Sequence, residues 1–215
     1  RSYFIGFVED QLSGPNRQIR IQGIQGVLSS NATIGTITVA DNEGVWLRIT
    51  NAAIVWSRST LLFSQRLQID RLAAEHIEII RQPSPDESLP APESSSFQVP
   101  ELPIAVNLDE LAIERVSFGV GVFGLESEMA ITGRINLADG SLDTALEIER
   151  LDGPGGRLAL TATYANETEQ LDLDLSLSEP ENGMVANLLN IEGTPPVDLS
   201  IAGSGPLTGL DVTLA

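Results

Sequence analysis

The sequence predicts an all-β protein built as one long, curled antiparallel sheet with one or two short helices. Three observations carry that class. Residues 170–178, QLDLDLSLS, alternate leucine with aspartate or serine, so Leu171, Leu173, Leu175 and Leu177 line one face of a strand and Asp172 and Asp174 the other. Runs of this kind recur, about fourteen in all, with turn formers between them. Aromatic residues make up only 5% of the chain, whereas a thick sandwich of 215 residues would draw on more large aromatic anchors. A thin sheet with a uniformly aliphatic inner face fits that composition.

Taken in order, residues 1–14 read as a short helix. Phe4, Phe7, Val8 and Leu12 share a face, and Gly14-Pro15 stops it. Such a stripe more often packs on a neighbouring core than lies on a membrane. Residues 15–82 form an N-terminal β segment with the runs RQIRIQGI, IGTITV, GVWLRI, AAIVWS, RLQID and HIEIIR, and the turn DNEG at 41–44. Residues 69–76 have some helical character, but their flanks favour strands. Trp46 and Trp56 are expected to anchor two adjacent strands, with Trp46 facing away from Val45 and Leu47 unless the strand is bulged.

Residues 83–100, PSPDESLPAPESSSFQVP, are rich in Pro and Ser and lack periodicity, which is the composition of a flexible linker. Residues 101–215 are a β-meander with runs at about 104–123, 128–137, 142–151, 157–165 and 170–178. The turns ADGS (138–141), DGPGG (152–156) and ANETE (165–169) are short enough to force antiparallel neighbours. A short helix near 183–191 carries Met184, Leu188 and Leu189 and is closed by Gly193. Strands resume at PVDLSIAGSG. The glycines of GVGVFG, 119–124, fit a bent or bulged strand.

Charge and composition exclude several functions. Thirty acidic residues against twelve basic give a net charge of -18, which repels phosphate backbones, so nucleic acid is not a partner. The same charge opposes adsorption to an anionic membrane face. There is no cysteine, hence no disulfide and no thiol nucleophile. No run approaches the roughly 18–20 apolar residues of a membrane-spanning helix. The ends, RSYFIGF and LDVTLA, look cut from a longer protein.

No catalytic set can be assembled. The single histidine, His76, lies in the strand-like AAEHIEII, and there is no nucleophile elbow, phosphate loop or cluster of metal ligands. Carboxylates are plentiful, but the alternation places them on a solvated face. Asp172 and Asp174 sit in no calcium-loop spacing. The triplets NAT at 31 and NET at 166 match the N-glycosylation pattern, which matters only in a secreted eukaryotic protein. The chain is therefore read as a non-enzyme without cofactor or metal.

What remains is the aliphatic face. Its candidate positions are Ile37, Val39, Val45, Leu47, Ile49, Met129, Ile131, Ile135, Leu142, Leu146, Ile148, Leu158, Leu160, Leu171, Leu173, Leu175 and Leu177.

One stretch is more specific than pattern. Residues 34–83 hold ADNEGVWLRI beside AAIVWS, then a Leu-rich connector, then RLQIDRLAAEHIEIIRQP. Together with RIQGIQGVLSS, ELPIAVNLDELAIERVSFG and GMVANLLNIEGTPPVDLSIAGSGPL, this resembles the N-terminal periplasmic region of the TamB family of translocation and assembly module proteins, relatives of the AsmA-like proteins. The motifs cover most of the chain and are strand and turn patterns, with no catalytic signature among them. The resemblance implies a periplasmic protein tethered to the inner membrane, whose sheet curls into an open groove, a β-taco. It also implies a TamA-type outer-membrane barrel as partner, bound through a part of the protein outside this sequence, and a role in outer-membrane assembly and phospholipid movement.

An aliphatic groove suits that role. A tail of about 16 methylenes loses roughly 13 kcal/mol when exposed to water, and a continuous apolar path removes most of that barrier. Fourteen strands at about 4.8 Å would extend roughly 65 Å. The expected function is thus a segment that shields the acyl chains of phospholipid, or of another acyl-chain ligand, between membranes. The alternatives are a chaperone that receives outer-membrane barrel strands by edge augmentation, and a secreted β-sandwich or adhesin fragment whose leucines form a closed core.

Overall fold

The computed structural model describes residues 9, 13, 14, 16–27, 30–84, 98, 99, 101–206 and 211–214. Most of the expected helix over 1–14 and of the expected linker over 83–100 lies outside the described residues.

The alternating runs become twelve strands: β1 (Gln18–Gln22), β2 (Gln25–Val27), β3 (Asn31–Asp41), β4 (Gly44–Ser57), β5 (Arg66–Arg81), β6 (Ala105–Gly119), β7 (Ser127–Ala138), β8 (Ser141–Arg150), β9 (Arg157–Ala165), β10 (Gln170–Glu179), β11 (Val197–Pro206) and β12 (Asp211–Leu214). Three short helices interrupt them: α1 (Arg58–Ser64), α2 (Val120–Phe123) and α3 (Met184–Leu188). All strands join one sheet that is not closed on itself, in the order β1-β3-β4-β5-β6-β7-β8-β9-β10-β11-β12, with β2 also on β3. β1 pairs with Thr36–Ala40 and β2 with Asn31–Thr33, so the two share one edge of β3. The sheet therefore has eleven strand positions and spans about 48 Å, shorter than fourteen strands would give.

The difference in count has one physical source. GVWLRI and AAIVWS are a single 14-residue strand, β4, and RLQID and HIEIIR a single 16-residue strand, β5. Trp46 and Trp56 thus lie on one strand rather than on two neighbours. Trp56 pairs with Ile69, while Trp46 is the extra residue of a bulge between Leu47 and Val45, which lie opposite Val39 and Ala40.

The pairing is antiparallel everywhere except between β5 and β6, which run parallel from Arg66↔Ala105 to Ile79↔Phe118. That pair departs from the all-antiparallel expectation because the connection between them, residues 82–104, is long enough to return the chain to the starting end.

GVGVFG is a helix, α2, rather than a bulged strand. Gly119 caps it, and a Cβ there would sit 2.3 Å from the Ile80 carbonyl oxygen, so only glycine permits that approach. Gly124, at φ 83°, ends it in the left-handed region. α3 ends at Leu188 with Leu189 as its cap, and Gly193 lies in the turn beyond instead of closing the helix.

Among the described residues, substantial contacts run only between ladder neighbours and from α1 and α2 to β5 and β6. The fold is a single layer. Its best-buried apolar cluster, Ala74, Ile113 and Val116, lies mid-sheet on β5 and β6 and is packed by Ile49, Ile77, Leu111 and Ile131.

Candidate functional site

The ladder registers fix which side chains share a face. One row runs Ala32, Ile54, Leu72, Leu111, Gly133, Leu146, Leu160, Leu175 and Ile201 from β3 to β11. A second runs Ile34, Ala52, Ala74, Ile113, Ile131, Ile148, Leu158, Leu177 and Leu199 over the same strands. Every position in both rows is nonpolar.

A third row, Ile37, Ile49, Ile77, Val116 and Met129, follows three residues away on β3 to β6 rather than two. Strict alternation would put Ile34 and Ile37 on opposite faces. They nevertheless line one hollow together with Ile49, Ala52, Ala74, Ile77 and Ile113. The phase is shifted on each strand in turn: at Gly35 on β3, at Asn51 (φ 50°) on β4, at Glu75 and His76 on β5, and at Glu114 and Arg115 on β6. The irregularities are in step, so the aliphatic face continues across them.

Sixteen of the seventeen expected positions lie on this face by register. Ile37, Val39, Leu47 and Ile49 occupy its β3–β4 part, whereas Val45 pairs with Ala40 across a bulge at Trp46 that interrupts the alternation. Met129, Ile131 and Ile135 come from β7, Leu142, Leu146 and Ile148 from β8, Leu158 and Leu160 from β9, and Leu171, Leu173, Leu175 and Leu177 from β10. All are half-buried except Val39, which is buried. A second layer packed over the face would have buried them. The sequence reading missed Leu72, Ala74, Leu111, Ile113 and Val116, since the phase shifts hide their common face. It also missed Leu199 and Ile201, although these alternate plainly in β11.

The opposite face is polar and cross-linked between strands. Arg48 pairs with Glu78 at 2.7 Å, Arg134 with Asp143 at 3.0 Å and Arg157 with Glu147 at 2.9 Å, all exposed. Ser178 Oγ donates to Asp198 at 2.6 Å. The bond to Asp143 raises the pKa of Arg134 above its ordinary value. A hollow of about 620 Å³ on this side brings Arg134, Asp143, Thr163, Asp172, Asp174 and Ser204 together with Leu173, Ala162 and Ala202.

His76 Nε2 and the Ser117 hydroxyl lie 2.7 Å apart, and Ser117 Oγ donates to Glu128 at 3.3 Å. Ser117 sits between base and acid, so the row has no nucleophile held by a base that an acid orients. Among the described residues no group of three or more His, Cys, Asp and Glu is placed to hold a metal, and no helix is long and apolar enough to cross a membrane.

At the Gly119 end of the sheet, α2 and α3 lie over the aliphatic face. Beneath them is a cavity of about 280 Å³ walled by Phe118, Met129, Ile148, Leu158 and Leu177 from the strands and by Phe123, Met184, Val185 and Leu188 from the helices. Arg150, Arg157 and Glu179 reach its rim. Glu179 is buried and accepts the Val185 N–H at 2.8 Å, which starts α3. Arg150 Nε donates to Asp152 Oδ1 at 3.0 Å. Burial pushes the Asp152 carboxyl up, but the bonds from Arg150 and from the Glu128 N–H outweigh it and hold its pKa below the ordinary value.

No protein-family model, no curated protein and no solved structure gives a significant match to this chain.

Proposed function

We propose that this chain is a periplasmic segment of a TamB-like envelope protein, tethered to the inner membrane, and that its aliphatic face shields lipid acyl chains on their way between the membranes. The observation that carries the reading is the pair of unbroken nonpolar rows across nine strands, half-exposed at all positions but Ala32, Ala74 and Ile113, on an open single-layer sheet. Such a face is costly to leave wet. Each buried methylene is worth about 0.8 kcal/mol, so a chain of hydrocarbon lying along the rows stabilises both itself and the sheet. Because the face is open, the tail can slide from strand to strand without crossing a closed wall. No covalent chemistry is needed.

The test is mass spectrometry of lipid co-purifying with the chain, followed by photo-crosslinking. Crosslinkers at Leu146, Leu160 and Leu173 capture lipid, and those at Glu147 and Asp172 on the other face do not. Equal capture on both faces ends this reading.

The open sheet also favours a second reading, in which an extended segment of another chain is received by hydrogen bonding to an outer strand. Beyond β12, which covers only Ile201–Ser204, the stretch Val197–Ser200 of β11 has no described partner on its outer side. Capture of unfolded barrel strands, with no lipid recovered, supports that alternative.

A further inference from the structure

Building on the acyl-chain reading, we infer that Arg150 anchors the anionic head of a long-chain amphiphile whose tail lies beneath α2 and α3. Arg150 is the last residue of β8 and pairs with Met129, which places it on the aliphatic face. Its side chain is only 7% exposed. One edge of the guanidinium is used, since Nε donates to Asp152 Oδ1 at 3.0 Å. Nη1 is buried and has no hydrogen-bond partner among the described residues. The cavity that Arg150 borders is otherwise almost wholly apolar, with Met129, Ile148, Leu158, Leu177, Phe123 and Met184 around it.

A purely structural role leaves this arrangement unexplained. Pinning the turn after β8 needs only the bond to Asp152 and the backbone bond from the Arg150 N–H to the Gly156 carbonyl at 2.8 Å. A buried guanidinium with an unmet N–H beside hydrocarbon is unfavourable unless an acceptor arrives. Glu179, whose Oε2 accepts the Val185 N–H, makes no ion pair with Arg150 among the described residues. Arg157 is turned to Glu147 on the other face, at 2.9 Å. The planar fork of arginine matches a carboxylate or a phosphate, and the apolar walls match a tail. The overall charge of -18 repels small free anions, so the head is held only when a tail comes with it.

The experiment compares three amphiphiles of equal chain length on the full 215-residue chain, below their micellar concentrations: hexadecanoate, hexadecyl phosphate and hexadecanol. Inorganic phosphate serves as the tail-free control. Titration calorimetry should show both anions binding about tenfold tighter than the alcohol, a difference of about 1.4 kcal/mol, with no binding of inorganic phosphate. Arg150→Met should abolish the preference, and Arg150→Lys should keep part of it. In the unmodified chain, the Arg150 side-chain nitrogen resonances should shift with hexadecanoate and stay put with hexadecanol, which locates the contact even if the variants fold poorly. Equal affinity for the three heads, or a preference that survives Arg150→Met, overturns the anchor while leaving the chain site standing. If no amphiphile binds, the acyl-chain reading falls and the anchor falls with it. Binding of inorganic phosphate alone overturns the coupling of head to tail.

Discussion

Arg81, at the end of β5, donates from Nη1 to Asp41 Oδ2 at 2.9 Å and from Nη2 to the other carboxylate oxygen, closing the β3–β4 turn onto β5. The Ser84 N–H, at 2.8 Å, and the Glu43 N–H, at 2.9 Å, bond to the same carboxylate. The Arg81 guanidinium, and after it the Ser84 N–H, hold the Asp41 carboxyl well below its ordinary value of 3.8.

That depression sets an acid limb. A carboxyl whose folded pKa is lowered contributes stability above its unfolded value and loses it as pH falls toward the folded one. The melting temperature should therefore drop steeply below about pH 4. Asp41→Asn, which cannot titrate, should start lower at neutral pH and lose less on acidification. Parallel melting curves for the two proteins between pH 5 and pH 2 would remove Asp41 as the cause.

Leu175 sits mid-row between Leu160 and Ile201 and is half-buried. Water already reaches that face, so Leu175→Asp should cost about 2 kcal/mol, where a sealed core would lose far more to an unpaired charge. Lipid occupancy should fall sharply. Asp172→Leu, on the other face, should leave occupancy unchanged although it breaks the bond from Ser204. Outright unfolding of Leu175→Asp would mean that the leucines form an ordinary closed core.

Gly133 is the one position in its row without a side chain, and Leu146 fills the space. A Cβ there would meet the Ala145 carbonyl oxygen at 2.4 Å and Leu146 Cδ2 at 2.6 Å. Gly133→Ala should destabilise the chain by about 1–3 kcal/mol in urea titration, because backbone as well as side chain has to shift. A neutral result would show that the β7–β8 ladder is looser than described.

The two tryptophans report two places along β4. Trp56, paired with Ile69, sits on the aliphatic face, and Trp46 lies at the bulge opposite Val39 and Ala40, beyond the two nonpolar rows. Brominated acyl chains should quench the fluorescence of Trp46→Phe, which retains Trp56, more than that of Trp56→Phe. Equal quenching of the two variants would mean that the chain does not follow those rows.

Much of this was legible in sequence where the period is clean. From β7 to β10 the alternation gives strand, turn and facing together, because short turns between regular strands leave the register little freedom. On β4 to β6 it was not. Asn51 and the pairs Glu75-His76 and Glu114-Arg115 each shift the phase, so one long strand reads as two short runs and Ile113 and Val116 read as opposite-facing. Only the neighbouring ladder shows that the shifts coincide. α2 was missed for a different reason. Gly and Val are poor helix formers, and the turn is stabilised by what its flanking glycines permit, a close approach to Ile80 and a left-handed exit. Arg150 was illegible altogether, since its place beneath α3 depends on packing between segments distant in sequence.

The parallel pairing of β5 with β6 divides the chain in time as well as in space. Every other ladder joins strands that are neighbours or near-neighbours along the chain and can zip up locally, within microseconds for a single hairpin. β5 and β6 must wait for closure of residues 82–104, at an entropic cost of about 2.8 kcal/mol beyond a fixed constant. Two half-sheets therefore precede the whole, each showing one bare edge until they meet. During that interval the chain is open to pairing with the wrong partner, including the complementary half of another copy of itself.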